Sequence, residues 1–373
     1  MDPKRGEKVA ADLEARFERR NVVYKTVEKT AIEAVIFIPK TLTSSSNSSS
    51  SSGGGGGEAT SAPVLVHFHG GCLITGAVPE PFFLVDWVRD LAYTTNAIFV
   101  SAGYRLAPET PAADILDDVV DFWRWVHNSQ DGLVAAVHDQ FPHVHVVPDL
   151  NRLAAVGESA GGYLALRSGL HLHHEATTTT TTTTTTTGTG SGSSPSPSSS
   201  SGSTPGIRAV IAQYPSMFTD LSAFDAVPAG GPDAAIRALV AEWAAARLAS
   251  GTRRVSAPWP GDLEATFGAL TNGLVRELVL GPDPEGRLTL RDTLERTVES
   301  PPPIWIVQGD DDNLVPHPGS DEVVAKLRAA RPAAEIKYTV VPGGWHGFDA
   351  LNKLDDDWVK EGVEFIKRHW LGN

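Results

Sequence analysis

The sequence predicts an α/β fold built on a doubly wound, mostly parallel sheet of eight strands, and three observations support this class. Eight short apolar runs alternate with stretches of helical periodicity. This alternation is typical of parallel strands joined by crossover helices, and we expect antiparallel strands only at the start of the sheet. Near the middle of the chain, a Gly-x-Ser-x-Gly turn separates a predicted strand from a predicted helix.

The predicted elements cover most of the chain outside two low-complexity tracts. Strands are expected at Val22–Val27, Ile32–Ile38, Val64–Phe68, Ala97–Ser101, Leu153–Val156, Val210–Tyr214, Ile304–Val307 and Ile336–Val341. Helices are expected at about 80–93, 112–127, 160–173, 319–330 and 355–369.

Between residues 216 and 300 the alternation stops, and we interpret this insertion after the sixth strand as a helical cap. An N-terminal helix near residues 8–20 would complete the cap over Ser159. Three arginines are expected to form a solvated face of that helix: Arg16, Arg19 and Arg20. Four aromatic residues could line a pocket under the cap, although core packing is an equally good interpretation of each: Phe82, Phe83, Trp243 and Trp259.

Composition limits the function classes. At 373 residues with 41% apolar residues, the chain can bury a full core, and we expect a single domain over residues 1–373. The net charge of -14 argues against nucleic acid and anionic membranes as partners. The single cysteine, Cys72, excludes an intrachain disulfide framework and a cysteine-rich zinc site.

The first residues are charged, and no apolar run approaches the roughly 20 residues that span a bilayer. We therefore expect a cytoplasmic protein without a membrane partner. Two tracts, 44–57 and 177–205, consist mainly of Ser, Gly, Thr and Pro. Because they offer almost no apolar surface to offset the entropy of ordering, we expect both to be flexible insertions between elements.

The pentapeptide Gly157-Glu158-Ser159-Ala160-Gly161 follows an apolar strand and opens a helix. A serine at such a sharp turn projects its hydroxyl above the end of a sheet, and the flanking glycines let strand and helix pass closely. On its own this pattern is equally compatible with a structural turn.

A second glycine turn, His69-Gly70-Gly71-Cys72, directly follows a predicted strand. Backbone N–H groups of such a loop can stabilise the negative charge of a tetrahedral intermediate in acyl transfer. We assign Gly70, Gly71 and the residue after the serine, Ala160, as oxyanion-hole donors. An ordinary strand-end turn with a buried His69 is the alternative.

Two further loops carry an acid and a base after late predicted strands. The run Asp310-Asp311-Asp312 follows one strand, and an acid there could orient a histidine; a solvated turn or an incidental cation site is the alternative. His346 follows the last strand, where a general base is expected. The order Ser, Asp, His, each on a loop after a predicted strand, is the chain order of α/β-hydrolases.

The chain resembles the α/β-hydrolase fold-3 family, which is also called the hormone-sensitive-lipase-like or family IV carboxylesterases. The resemblance extends from about residue 60 to the C-terminus, apart from an inserted tract. Three motifs carry the resemblance: His69-Gly70-Gly71, the stretch Tyr104-Arg105-Leu106-Ala107-Pro108-Glu109, and Gly157-Glu158-Ser159-Ala160-Gly161-Gly162. The family's G-x-x-D and H-G-F segments map the acid onto Asp312 and the base onto His346. Cys72 stands where a third glycine is usual, which could narrow the acyl pocket.

The resemblance implies a carboxylesterase-type serine hydrolase with the catalytic residues Ser159, Asp312 and His346. It would cleave esters of small to medium size through an acyl-enzyme, with no cofactor and no metal. The same machinery would serve a lactonase, a thioesterase or a small-peptide hydrolase, and a non-catalytic small-molecule receptor on this fold is the alternative from another class. A homodimer and a role in specialised metabolism are left open, and Arg105 and Glu158 are interpreted as members of buried ion pairs.

Overall fold

An eight-stranded sheet with the order β1-β2-β4-β3-β5-β6-β7-β8 forms the centre of the molecule. The computed structural model describes residues 4–44, 59–179, 206–216, 233–281, 286–290, 294, 298 and 300–372. β1 pairs antiparallel with β2, and β2 antiparallel with β4. The pairs from β3 to β8 are parallel, which confirms the predicted class of sheet.

All eight predicted strands form, most of them longer at one end than predicted. The strands are β1 Phe17–Val27, β2 Thr30–Pro39, β3 Thr60–Phe68, β4 Ile98–Ala102, β5 Val146–Glu158, β6 Ile207–Gln213, β7 Ile304–Gly309 and β8 Ile336–Val341. The α-helices in the described ranges are α1 Arg5–Arg16, α2 Lys40–Ser44, α3 Asp86–Thr94, α4 Ala112–His127, α5 Leu133–Gln140, α6 Ala160–Arg167, α7 His173–Thr179, α8 Ala234–Ala249, α9 Leu263–Thr271, α10 His317–Ala330 and α11 Asp357–Trp370.

The N-terminal helix differs from the expected range of 8–20. It spans Arg5–Arg16 and ends where Phe17 becomes extended, with φ -123° and ψ 150°. From that residue the chain pairs with β2, so Arg19 and Arg20 lie on a strand and the predicted helical face of arginines is wrong. Arg16 is the last residue of the helix, and it forms ion pairs with Asp12 and Asp90.

Two other helix boundaries differ from the sequence prediction, and some helices were not predicted. α3 begins only at Asp86, and the preceding residues 80–85 form an irregular turn. The helix predicted for 160–173 is broken by a π-helical turn at Ser168–Leu172 before α7 continues to Thr179. Helices α2 and α5 were not predicted.

Helices cover both faces of the sheet, and alternate strand residues supply the two halves of the core. On one face Val64, Val66 and Phe68 of β3 belong to the cluster that includes Trp123 of α4 and Leu164 of α6. On the other face Leu65 of β3 belongs to the cluster that includes Trp87 of α3, Leu13 of α1 and Trp370 of α11. Burying apolar surface on both faces is what stabilises a parallel sheet.

The first residues of the two low-complexity tracts, 44–57 and 177–205, are helical. Ser44 ends α2, and residues 177–179 form the last turn of α7. The Thr177 hydroxyl donates to the carbonyl of His173. The remaining residues of both tracts lie outside the described ranges. None of the described helices is both long and apolar enough to cross a membrane.

Two histidines join α4 to α7 in the core. The Nε2 atoms of His127 and His173 lie 2.8 Å apart, so one ring donates to the other. Burial disfavours the charged imidazolium and lowers the pKa of His127 to about 4 and that of His173 to about 3. Both rings are therefore neutral in the folded protein at neutral pH.

We expect the free energy of unfolding to fall between pH 7 and pH 5. The unfolded chain protonates these histidines near pH ~6.5, whereas the folded chain protonates them only near pH 3 to 4. Each histidine would account for at most about 2 kcal/mol of the fall at pH 5. Urea unfolding at both pH values tests this, and the double variant His127→Gln/His173→Gln should lose less stability on acidification. An equal loss in both proteins would contradict the prediction.

Candidate active site

Ser159 occupies a strained turn between β5 and α6. Its backbone has φ 54° and ψ -117°, a conformation that residues other than glycine rarely adopt. The glycines on either side are needed because a Cβ on Gly157 would lie 2.3 Å from the Gly161 carbonyl oxygen. A Cβ on Gly161 would lie 2.0 Å from the Phe68 carbonyl oxygen of β3. The predicted reason for both glycines, close passage of strand and helix, agrees with this geometry.

The glycine loop after β3 lies beside this turn, because Phe68 at the end of β3 pairs with Gly157 at the end of β5. Three successive residues of the loop, Gly71, Cys72 and Leu73, have positive φ angles of 105°, 57° and 61°. Successive residues of this kind turn backbone N–H groups toward a common concave surface. A Cβ on Gly71 would lie 2.1 Å from the Thr75 carbonyl oxygen, so the loop is closed tightly on itself.

The Gly70 N–H is engaged inside the protein, contrary to its predicted role as an oxyanion donor. It donates to Glu158 Oε1 at 2.9 Å, while Glu158 Oε2 lies 2.9 Å from His67 Nε2. Among the described residues, no acceptor is bonded to the N–H groups of Gly71, Cys72 or Ala160. The arrangement therefore leaves Gly71 and Ala160 available as donors, with Cys72 as a third that the sequence did not indicate.

Asp312 and His346 meet across the ends of β7 and β8. Asp312 Oδ2 lies 2.8 Å from His346 Nδ1. The other carboxylate oxygen, Oδ1, accepts the N–H groups of Leu314 and Val315 at 3.0 and 2.8 Å, and Gln308 Nε2 donates to Oδ2. These bonds fix the carboxylate, which is fully buried, against the ring.

The two neighbouring aspartates are placed differently. Asp310 and Asp311 are exposed, and Asp310 Oδ1 accepts the Gly343 N–H at 2.6 Å. Only Asp312 contacts His346, in agreement with the family resemblance. No group of three or more side chains with the chemistry of metal ligands occurs within the described ranges.

Ser159 and His346 line the same cavity, which has a volume of about 340 Å³. The glycine loop forms one part of its wall, and Trp345 and the turn at residues 313–315 form another. The wall is largely apolar, which is typical of small-molecule sites. α9 supplies further lining residues: Leu263, Thr266, Phe267 and Leu270.

Aromatic rings form one side of this cavity. Phe82 and Trp259 stack with centroids 4.3 Å apart and planes at 13°, and Phe83 meets Trp259 edge-on at 5.5 Å. Trp243, the fourth aromatic candidate, is not a lining residue. Its Nε1 donates to Asp262, and Arg254 lies over its ring, so Trp243 packs inside the α8–α9 region.

The segment that carries Trp259 is tied to the glycine loop. Ala257 and Gly76 exchange two backbone hydrogen bonds, and the Thr75 hydroxyl also donates to the Ala257 carbonyl. Glu80 accepts from the N–H groups of both Phe82 and Trp259, and burial raises the pKa of its carboxyl. The aromatic side of the cavity and the glycine loop are therefore held as one unit.

A buried polar cluster lies behind His346 and was not indicated by the sequence. Tyr214 packs edge-on against the His346 ring at 4.8 Å. Asp349 is fully buried, and its Oδ2 accepts from Trp87 Nε1 and Gln213 Nε2. Burial raises the pKa of Asp349. A sequence of one acid three residues after a histidine gives no sign of this burial.

Four residues of the family motifs are buried and have partners inside the protein: His69, Tyr104, Arg105 and Glu158. Arg105 forms a buried bidentate pair with Asp118, as ion pairing predicted, whereas the partner of Glu158 is His67. The His69 ring stacks on Tyr104 at 4.3 Å, and burial lowers the pKa of His69 to about 4. His69 is therefore a neutral ring that supports the glycine loop.

Comparison with known proteins agrees with this geometry. The family model described as alpha/beta hydrolase fold matches residues 65–260, just over half of the chain. A probable carboxylesterase, M8, from Phoma sp. is 28% identical over 358 residues, which cover 95% of this chain and 97% of that protein. Carboxylesterase 20 from Arabidopsis thaliana is 36% identical over 108 residues, covering 29% of this chain and 30% of the relative.

Solved structures show the same fold. A fungal esterase from Rhizomucor miehei superposes with a TM-score of 0.56 at 16% identity, covering 100% of this chain and 90% of that one. Esterase LipW from Mycobacterium marinum superposes with a TM-score of 0.53 at 19% identity, covering 100% and 87%. Together with the matched family model, this establishes that the chain belongs to the alpha/beta hydrolase fold-3 family of carboxylesterase-type hydrolases.

Proposed function

We propose that this protein hydrolyses carboxylic esters with Ser159 as nucleophile, His346 as general base and Asp312 as the acid that orients His346. The observation that carries the proposal is the 2.8 Å contact between Asp312 and His346 Nδ1 on the wall of the cavity that Ser159 also lines. A carboxylate bonded to Nδ1 keeps the proton on that nitrogen, so Nε2 is left free to accept one.

In the acylation step, Ser159 Oγ attacks the ester carbonyl carbon while its proton moves to His346 Nε2. The carbonyl oxygen becomes an oxyanion, and the new positive charge on the imidazolium faces Asp312. When the tetrahedral intermediate collapses, the bond to the alcohol oxygen breaks and His346 gives its proton to the departing alcohol. The acyl group stays on Ser159.

The oxyanion would be held by the N–H groups of Gly71 and Ala160, with Cys72 as a third donor. Support comes from the positive φ angles of the loop and from the position of Ala160 at the first residue of α6. Gly70 serves this site indirectly, because its bond to Glu158 fixes the loop against the strand that carries Ser159. Fixed donors of this kind are worth about 10²- to 10³-fold each in kcat.

Hydrolysis of the acyl-enzyme repeats the cycle with water. His346 takes a proton from the water, hydroxide adds to the acyl carbon, and the proton returns to Ser159 Oγ as the acid leaves. The apolar wall excludes bulk water from the rest of the cavity, which strengthens the electrostatic interactions inside it.

We also propose that the inserted region after β6 and the N-terminal helix act as the cap. Four α9 residues and Trp259 line the cavity, which supports this role for the part of 216–300 that the structure describes. Helix α1 lies beside the site rather than against Ser159, since its residues line a neighbouring cavity.

A panel of p-nitrophenyl esters from C2 to C12 tests the proposed activity. The cavity of about 340 Å³ lies near the lower end of the range for small-molecule sites. We therefore expect kcat/KM to be highest for acyl chains of intermediate length, about C4 to C8, and to fall at C12. Tight binding of these esters without any turnover would instead favour the receptor alternative.

A further inference from the structure

A second cavity, of about 410 Å³, adjoins the catalytic cavity. Trp345 and Ala350 belong to the walls of both cavities. The second cavity is otherwise enclosed by α1, by the start of α3 and by the turn after His346: Arg5, Lys8, Val9, Asp86, Arg89, Phe348 and Leu351. No step of the proposed ester hydrolysis uses this space.

A single stretch of backbone separates the two cavities. Phe82, Phe83 and Val85 line the catalytic side, and Asp86 lines the second side. Arg5 holds this stretch from behind, because its guanidinium donates to the carbonyls of Phe82 and Leu84. The two cavities are therefore neighbours across this stretch.

The wall of the second cavity is cationic in a protein whose net charge is -14. Three basic side chains, Arg5, Lys8 and Arg89, share the lining with one carboxylate, Asp86. Asp86 is ionised, because bonds and charges from Lys353, Arg89 and Arg5 lower its pKa although burial opposes this. Asp86 pairs with Arg5, Arg89 and Lys353, and Asp12 also pairs with Arg89, so these two described carboxylates face three basic side chains.

The described hydrogen bonds use only some of the N–H donors of the two arginines that line this cavity. Arg5 bonds Phe82, Leu84 and Asp86, and Arg89 bonds Leu84, Asp86 and Asp12. A guanidinium carries five N–H donors, so the bonds within the described ranges use three on each. Both side chains are almost fully buried, and a buried, pre-oriented guanidinium is the side chain best suited to bind a carboxylate.

We propose that the second cavity is a subsite for an anionic group of the substrate, so that the preferred esters carry a carboxylate several atoms from the scissile bond. The inference rests on the proposed ester hydrolysis and adds the substrate class. The apolar part of the substrate would occupy the cavity of Ser159, and its chain would pass Trp345 to place the carboxylate near Arg5, Lys8 and Arg89.

Two matched ester pairs test this subsite. In the first pair the charge is on the acyl side: mono-p-nitrophenyl adipate is compared with p-nitrophenyl hexanoate. In the second it is on the alcohol side: 4-carboxyphenyl butyrate is compared with 4-methylphenyl butyrate. We expect the anionic ester of one pair to have the higher kcat/KM, by about tenfold, and this advantage to shrink at high salt concentration.

Lys8→Glu should lower the ratio of kcat/KM for the anionic and neutral esters of that pair by about tenfold, because it places a like charge on the wall. Lys4→Glu is the matched control: it makes the same charge change one turn earlier, at a residue that does not line the cavity. Circular dichroism melting curves of both variants check the fold. The subsite is overturned if the anionic ester is not preferred in either pair. It is also overturned if Lys8→Glu and Lys4→Glu change the ratio equally. If the unmodified protein hydrolyses none of these esters, the proposed function itself is overturned.

Discussion

Ser159→Ala should lower kcat for p-nitrophenyl butyrate by about 10⁶-fold while the protein stays folded. The variant removes the only atom proposed to attack the substrate, and the oxyanion donors and the cavity remain. Alanine meets the same backbone strain as serine at φ 54°, so the thermal midpoint should change little. Steady-state kinetics, with active-site titration of the wild type, measures the effect.

A fluorophosphonate probe gives an independent readout, because it should label the wild-type protein at Ser159 and leave the variant unlabelled. Ser250→Ala, at the exposed end of α8, deletes the same hydroxyl chemistry at a residue that does not line the cavity and should keep full activity. Ser159→Gly should be equally inactive yet more stable by about 1 kcal/mol, since glycine relieves the strained turn. Near-full activity of Ser159→Ala would show that another group is the nucleophile.

The sequence predicts this site well where the backbone itself dictates the residue type. The roles of Gly157 and Gly161 can be predicted from the sequence because any Cβ there would collide with neighbouring backbone. The role of Ser159 follows from its place between them. The inner strands of the sheet can be identified from the sequence because strands that are buried on both faces need near-continuous apolar runs. Once the motifs identify the fold, the fold indicates which loops at the ends of these strands lie close together.

Contacts made by side chains across the fold were beyond prediction. Glu158 accepts a hydrogen bond from the Gly70 N–H because of the direction in which its carboxylate points. The two adjacent glycines in the sequence give no sign of this direction. The burial of Asp349 behind His346 depends on donors from Trp87 and Gln213, which are distant in sequence. The cationic cavity likewise brings together α1 and α3, whose charged residues look like ordinary solvated faces.

Asp312→Asn should lower kcat by about 10⁴-fold. The substitution can preserve the shape of the turn, because the amide oxygen can still accept from Leu314 and Val315. The amide nitrogen would then stand where Oδ2 now lies, 2.8 Å from His346 Nδ1 and 3.1 Å from the donor Gln308 Nε2. To avoid opposing two donors, the histidine must carry its proton on Nε2, and in that tautomer it cannot accept the Ser159 proton.

The neighbouring aspartates provide matched controls for this loss. Asp310→Asn and Asp311→Asn remove a carboxylate charge within two residues of position 312, but neither side chain contacts His346. Each should therefore reduce kcat by less than about threefold, the size expected of an exposed charge in high-dielectric surroundings. Equal losses at all three positions would mean that the negative charge of the loop, and not the orientation of one imidazole, supports catalysis. A large loss confined to Asp312 would identify the tautomer of His346 as the quantity that this acid controls.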